Sequence, residues 1–220
     1  VRLGSLSLMS VTYIVTDLSD NDPNRTETFK HVTSVALRTI AGEKDLEVTY
    51  SSAEVPTGRL SPTGKPRLPA PGHNLPPKEK RLLRGCADVQ ALYIAHHDDK
   101  LHHQVSPRDA QALEAFNALE QARCEALGFE EMEGVGANLQ AVLEEKCART
   151  GFQNLTGKDQ VSLGDALHVI SRMALTGEAP PPSAEKMIEL WKPTIDAQLG
   201  DFNFEELKNS LHDQSAFAEI

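Results

Sequence analysis

A mainly α fold, an irregular multi-helix bundle with a small β-hairpin, is predicted by three features of this sequence. Apolar residues recur at the i, i+3, i+4 spacing of a helix in one window after another. Two S-x-x-D strings, Ser106 to Asp109 and Ser162 to Asp165, stand where helix-opening capping boxes are expected. Only Leu46-Glu47-Val48-Thr49-Tyr50 alternates as a strand does. Aromatic residues are only 5% of the chain, so the helices must pack mainly through leucine and alanine.

In order, residues 1–25 are expected to be disordered. The opening VRLGSLSLMSVTYIV lacks a signal-peptide cleavage site, Val1 is not an initiator, and Met9 is the candidate start. The first helix is placed over Thr26 to Ala41. Phe29, Val32, Ala36 and Ile40 form its stripe, and Gly42 follows its end. Residues 53–77 hold seven prolines and three glycines, the composition of a loop or extended arm. Within that arm Arg67-Leu68 is expected to pair with the 46–50 strand as a hairpin. The helical domain is assigned to residues 26–220.

The next helix opens after Pro76 and Pro77, which suit a helix start and no interior position. Its stripe is Leu82, Cys86, Val89 and Tyr93, and His96 and His97 border that stripe. A further helix is read from an N-cap at Ser106 to a stop at Gly128. Leu113, Ala115, Phe116, Leu119, Ala122 and Ala126 share its apolar arc. Glu114, Asn117, Gln121 and Glu125 form its polar face. Glu120 and Arg123 fall inside the apolar arc, three residues apart, where they can pair. Buried charge is costly unless it is paired and hydrogen-bonded.

Glu130 to Arg149 is the following helix, with Met132, Val135, Leu139, Val142, Leu143 and Cys147 on its buried face. Gly134 and Gly136 weaken it, and close helix approach is the expected reason. Another helix runs from Ser162 to Leu175. One more starts at Ser183, passes Trp191 on its apolar side, and is expected to kink or stop near Pro193. A last helix covers Phe204 to Leu211, and Ala216 to Ile220 read as the beginning of yet another.

The net charge of −10 argues against a nucleic-acid surface, which needs clustered Lys and Arg. The basic run Lys78 to Arg84 is an ordinary solvated face or a dock for an acidic partner. No apolar run approaches the roughly 20 residues needed to span a bilayer. Cys86, Cys124 and Cys147 lie far apart on expected helices, and they read as buried thiols of a cytoplasmic protein.

Nucleotide chemistry has no loop to run on. Gly58 to Gly64-Lys65 and Gly151 to Gly157-Lys158 have five residues between glycines rather than four. Neither supplies the Ser or Thr that meets magnesium. Four of the eight histidines fall in the 96–103 stretch. In a continuous helix His96, Asp99 and His103 would align as a two-His, one-carboxylate set for a divalent metal. In the plainer reading Asp98 caps a short helix and His97 is hydrogen-bonded within the core. A third reading joins His97, Asp98, His102, Glu120 and Arg123 into one polar cluster.

The order of short motifs carries a family resemblance. His97-Asp98-x-x-x-His102, Pro107, Glu120-Gln121-Ala122-Arg123, Glu125-Ala126 and Gly128 resemble the N-terminal region of the CobT family, the T subunits of aerobic cobaltochelatase. Downstream, Gly134-Val135, Asn138-Leu139, Leu143-Glu144, Asp165-Ala166-Leu167, Leu175-Thr176-Gly177, Pro180-Pro181 and Leu190-Trp191 fit the same pattern. Upstream, Phe29-Lys30, Arg38-x-Ile40-Ala41-Gly42 and Leu46-Glu47-Val48 fit as well.

The resemblance implies a subunit of an ATP-dependent ligase complex that inserts cobalt into hydrogenobyrinate a,c-diamide in cobalamin (vitamin B12) biosynthesis. It implies an AAA+ S subunit and a large N subunit as partners. Cobalt and Mg-ATP are then used by the complex, not held by this chain. It also implies a C-terminal von Willebrand A-type domain whose adhesion site reads D-x-S-x-S. The nearest string, Asp17-Leu18-Ser19-Asp20-Asn21, lacks the last serine, so that domain is expected to lie outside this sequence. No catalytic residue is assigned. The role expected of the chain is an assembly and coupling scaffold, and the alternative is a metal-binding helical module.

Overall fold

The computed structural model describes residues 24–52, 64–200 and 204–220. Most of the expected disordered N-terminus, the adhesion-site-like string 17–21 and residues 53–63 of the Pro-rich arm lie outside them. The described residues form nine α-helices and one two-stranded sheet: α1 (Arg25–Ala41), β1 (Thr49–Ser51), β2 (Arg67–Pro69), α2 (Pro77–His96), α3 (Asp99–Val105), α4 (Ala110–Glu131), α5 (Glu133–Thr150), α6 (Leu163–Thr176), α7 (Glu185–Leu199), α8 (Phe204–Asn209) and α9 (Gln214–Glu219). Short 3-10 turns at 152–154, 158–160 and 182–184 join the later helices. The mainly α expectation is met. No described helix is long and apolar enough to cross a membrane.

Helix α2 is the axle. From Leu83 to Leu92 all but Arg84 are buried, because α1, α4, α5 and β2 pack around it. A helix buried on all sides shows no single stripe. That is why Leu82 and Tyr93 of the expected stripe are only half-buried while Asp88 and Gln90 are fully enclosed. Gln90 is satisfied as a strand would be. Its amide nitrogen donates to the Arg67 carbonyl, and its amide oxygen accepts from the Arg67 N–H, both at 3.0 Å.

The strand pair differs from the expected hairpin: β1 and β2 run parallel, with Tyr50 opposite Leu68. A two-residue turn cannot make that arrangement. The long connection through residues 52–66 can, since parallel strands need a crossover of about a dozen residues or more. The first helix also turns further than its sequence suggests. Its buried line is Phe29, Thr33, Leu37 and Ala41, not Phe29, Val32, Ala36 and Ile40. Ser34 explains part of that phase: its hydroxyl meets the Tyr50 hydroxyl at 3.2 Å, and Tyr50 donates to the Lys30 carbonyl at 2.9 Å.

Two helix boundaries move. Ser106 does not cap α4. It ends α3 instead, donating its N–H and its hydroxyl to the His102 carbonyl at 2.9 and 2.6 Å. Asp109 takes over as N-cap of α4, accepting from the Ala112 N–H at 2.9 Å. Gly128 does not stop α4, which continues to Glu131. Gly128 is there for contact, because a Cβ on it would sit 2.4 Å from Leu92. Ser162 caps α6 as expected, accepting from the Asp165 N–H at 3.1 Å. Pro193 does not end its helix. It lies inside α7 on an exposed face, where the unpaired Glu189 carbonyl can be solvated.

Helix α5 buries Val135, Leu139, Val142, Leu143 and Cys147, as its periodicity indicates. Its two glycines separate. Gly136 faces Phe129 at 2.7 Å from where a Cβ would be, but Gly134 has nothing within 4 Å. The tightest crossing is one that periodicity does not reveal. A Cβ on Gly85 would meet the Asn138 carbonyl oxygen at 2.3 Å and a Val142 methyl at 2.4 Å. Gly85→Ala is therefore expected to force α2 and α5 apart and cost about 1–3 kcal/mol. Gly134→Ala should stabilise by up to about 1 kcal/mol. Paired urea unfolding curves check both signs.

The same crossing encloses a carboxyl. Asp88 is buried and accepts from the Asn138 side-chain amide at 2.8 Å. Burial pushes its pKa up to about 7, against the smaller opposing effects of Asn138 and Arg84. An acid whose folded pKa is raised stabilises the fold fully only below its unfolded value. That contribution is lost as pH rises through the folded value. Asp88→Asn is expected to leave stability unchanged near pH 4 and to raise it above pH 7 by up to roughly 4 kcal/mol. Unfolding midpoints measured at pH 4 and pH 8 decide this.

Candidate functional site

Where α2 ends and α4 crosses it lies a buried polar network. Helix α2 stops at His96 because His97 adopts an extended conformation, and Asp98 then caps α3. The Asp98 carboxylate accepts from the Lys100 and Leu101 N–H groups at 2.8 and 3.1 Å, and those bonds hold it below the ordinary carboxylate range. This turn drops the His97 ring onto α4. His97 Nδ1 lies 2.7 Å from Glu120 Oε1, and the two side chains are 1% and 5% exposed.

Glu120 and Arg123 form a two-point pair. Arg123 Nε donates to Oε2 at 2.7 Å and Nη2 donates to Oε1 at 2.8 Å. Two further guanidinium bonds go to backbone carbonyls. Nη1 donates to Leu211 at 2.7 Å, and Nη2 also reaches His96. Burial pushes the Glu120 carboxyl up, but the bonds from Arg123 and His97 outweigh it and leave it below its ordinary value. Arg123 is raised: burial works against its charge, and Glu120 more than compensates.

A run of rings backs this pair. Tyr93 stacks on His97 at 4.2 Å between centroids, His97 meets His102 edge-on at 4.7 Å, and His102 stacks on Phe116 at 4.6 Å. His102 is held by Asn117, Nε2 to Oδ1 at 2.8 Å. The structure thus brings His97, Glu120 and Arg123 together. His102 joins them only through ring contact, and Asp98 contributes its backbone while its carboxylate caps α3.

His96, Asp99 and His103 do not converge. The break at residues 97 and 98 interrupts the continuous helix their alignment requires. His96 instead faces Glu131, at 3.9 Å, and His103 is exposed. Asp99 is exposed and lies 3.3 Å from His97 Nε2. Among the described residues no three His, Cys, Asp or Glu side chains form a group that could hold a metal ion.

A second charged centre escapes sequence reasoning. Glu125, expected on the polar face of α4, is buried against α6. Its Oε1 lies 3.0 Å from His168 Nε2, and its Oε2 lies 3.4 Å from Arg172 Nε. Gln121 donates to Oε1 at 2.9 Å. Burial opposes the charge of Glu125, yet His168, Arg172 and Gln121 together bring its pKa down to about 2. Arg172 also covers the Phe129 ring at 5.0 Å from its centroid. The available signal was on α6: His168 and Arg172 stand at i, i+4 on the face that also carries Leu175.

Cys86 and Cys147 are free and buried, and burial pushes each thiol up to about 12. Cys124 is likewise free, buried and raised well above its ordinary value. Such thiols pack as small apolar groups and are poor nucleophiles.

The chemical capacity of this region is to fix helices to one another. Both oxygens of Glu120 and all three nitrogens of Arg123 are engaged internally. The pair ties α4 to the end of α2 and to the segment after α8.

No solved structure matches the chain. The family model described as cobalamin biosynthesis protein CobT matches residues 23–220. That match covers every described element, from the first residue of α1 to the last of α9. The chain therefore belongs to the CobT family, the proteins of cobalamin biosynthesis.

Proposed function

We propose that this chain acts as an assembly and coupling scaffold in an aerobic cobaltochelatase, the ATP-dependent ligase complex that inserts cobalt into hydrogenobyrinate a,c-diamide. Its partners in this reading are an AAA+ S subunit, which hydrolyses Mg-ATP, and a large N subunit, which binds the corrin and the metal. The family match supports the pathway. The observation that carries the scaffold role is the closure of the Glu120–Arg123 centre: its charged atoms bond to one another and to backbone, with 5% or less of either side chain exposed. Buried pairs of this kind specify how helices dock. Three free, buried cysteines support work in the cytoplasm.

The test is association. The chain is mixed with the AAA+ S subunit, with and without ATP, and particle mass is followed by light scattering. A stable co-complex is expected. A folded sample that forms none under either condition removes the scaffold reading.

A further inference from the structure

The segment from Phe204 onward carries two helices of six residues each, α8 and α9. Isolated helices that short are not stable in water, so both depend on docking for their structure. The docking surface is separate from the core around α2. Leu207, Leu211 and Phe217 rest on Ala122, Ala126 and Leu127 of α4 and on Leu175 of α6. None of these belongs to the cluster that joins α2 with α5.

Polar contacts lie at the edge of that surface, among them His212 Nε2 at 3.3 Å from Glu130 Oε2 of α4. The Gln214 amide reaches the Asp98 peptide: its oxygen accepts from the Asp98 N–H at 2.7 Å, and its nitrogen donates to the Asp98 carbonyl at 3.2 Å. The Leu211 carbonyl accepts from Arg123 Nη1 at 2.7 Å, with the Phe217 ring 6.0 Å from the guanidinium carbon. The Gln214 nitrogen also lies 3.5 Å from His97 Nδ1, so these hydrogen bonds to His97, Asp98 and Arg123 span 88 to 117 positions of the chain.

We propose that residues 204–220 are a releasable strap. It closes over the His97–Glu120–Arg123 centre and opens as one unit while the α2–α5 core stays folded. On opening, Gln214 leaves the Asp98 peptide, Leu211 leaves Arg123, and the apolar face of α4 meets water. The two-point Glu120–Arg123 bond lies within α4 and survives. Folded proteins open in cooperative units of this kind, and marginal elements with their own contact set are the first to go. The inference is independent of the chelatase reading.

Amide hydrogen exchange by NMR on the full chain tests it, with Phe217→Ala and Gln214→Ala compared with the parent. In Phe217→Ala the Asp98 amide keeps its Gln214 acceptor, so only strap opening can speed its exchange. We expect at least tenfold faster exchange there, because the lost ring is buried. In Gln214→Ala the Ser210 and Leu211 amides, which bond to the Leu207 and Lys208 carbonyls and not to Gln214, are expected to exchange roughly fivefold faster. In both variants the amides of α2 and α5 should keep their protection. An unchanged Asp98 amide in Phe217→Ala, or unchanged Ser210 and Leu211 in Gln214→Ala, overturns the single unit. Equal acceleration in α2 and α5 overturns its independence from the core.

Discussion

Arg123→Ala is expected to destabilise the fold by about 3–5 kcal/mol, the usual consequence of breaking a buried pair from one side. The loss has three parts. Glu120 keeps a buried charge with only His97 and the weak Cys124 thiol donor beside it. The carbonyls of Leu211 and His96 lose their donor. The Phe217 ring loses the cation above it. Arg123→Lys should recover little, since one ammonium cannot reproduce a two-point bond and two carbonyl contacts at once. Urea unfolding midpoints measure both, and a loss below about 1 kcal/mol for the alanine variant would show that the network is not a structural tie.

Glu125→Ala is expected to have a comparable effect, on the order of 3–5 kcal/mol at pH 7. It removes the one carboxylate that serves both His168 and Arg172, each 4% exposed or less. The two partners do not gain equally. The Glu125 carboxyl is brought down to about 2, while burial lowers Arg172 by more than Glu125 restores. Arg172 Nη2 makes no hydrogen bond to the described residues, which accounts for that shortfall. Part of what Glu125 gains is therefore offset by Arg172.

The sign with pH follows from the depressed carboxyl. Its contribution is present above the unfolded value near 4.5 and is lost as pH falls toward 2. The stability gap between the parent and Glu125→Ala should thus be full at pH 7 and shrink steadily below pH 4.5. A gap that stays constant down to pH 2.5 would exclude the ionised pair as its source.

Helices were legible where one face of each meets one core. The stripe of α5 could be read from periodicity because Val135, Leu139, Val142, Leu143 and Cys147 all fall on the one face it buries. Helix α2 could not, since it is wrapped on every side and polar Asp88 and Gln90 occupy core positions. Glu120 and Arg123 announced themselves because both lie within an apolar arc three residues apart. Glu125 did not, because its enclosure depends on α6, some forty positions later. The parallel strand pair was hidden for a related reason: a strand pattern carries no information on the direction of its partner. The strap was legible only as helix, since its grip on Asp98 depends on a glutamine side chain that nothing nearby in sequence requires.

In the scaffold role proposed for this chain, the His97–Glu120–Arg123 network holds the architecture and carries out no chemistry. The direct measurement is cobalt insertion by a reconstituted complex containing Glu120→Gln, with folding followed by thermal melting and assembly by light scattering. Glutamine keeps the shape and removes the charge, at a stability cost of about 1–3 kcal/mol. Insertion is expected to track the folded, assembled fraction and to be otherwise unchanged. A variant that folds and assembles fully, yet inserts cobalt more than about tenfold more slowly, a loss of roughly 1.4 kcal/mol of transition-state stabilisation, would contradict that role.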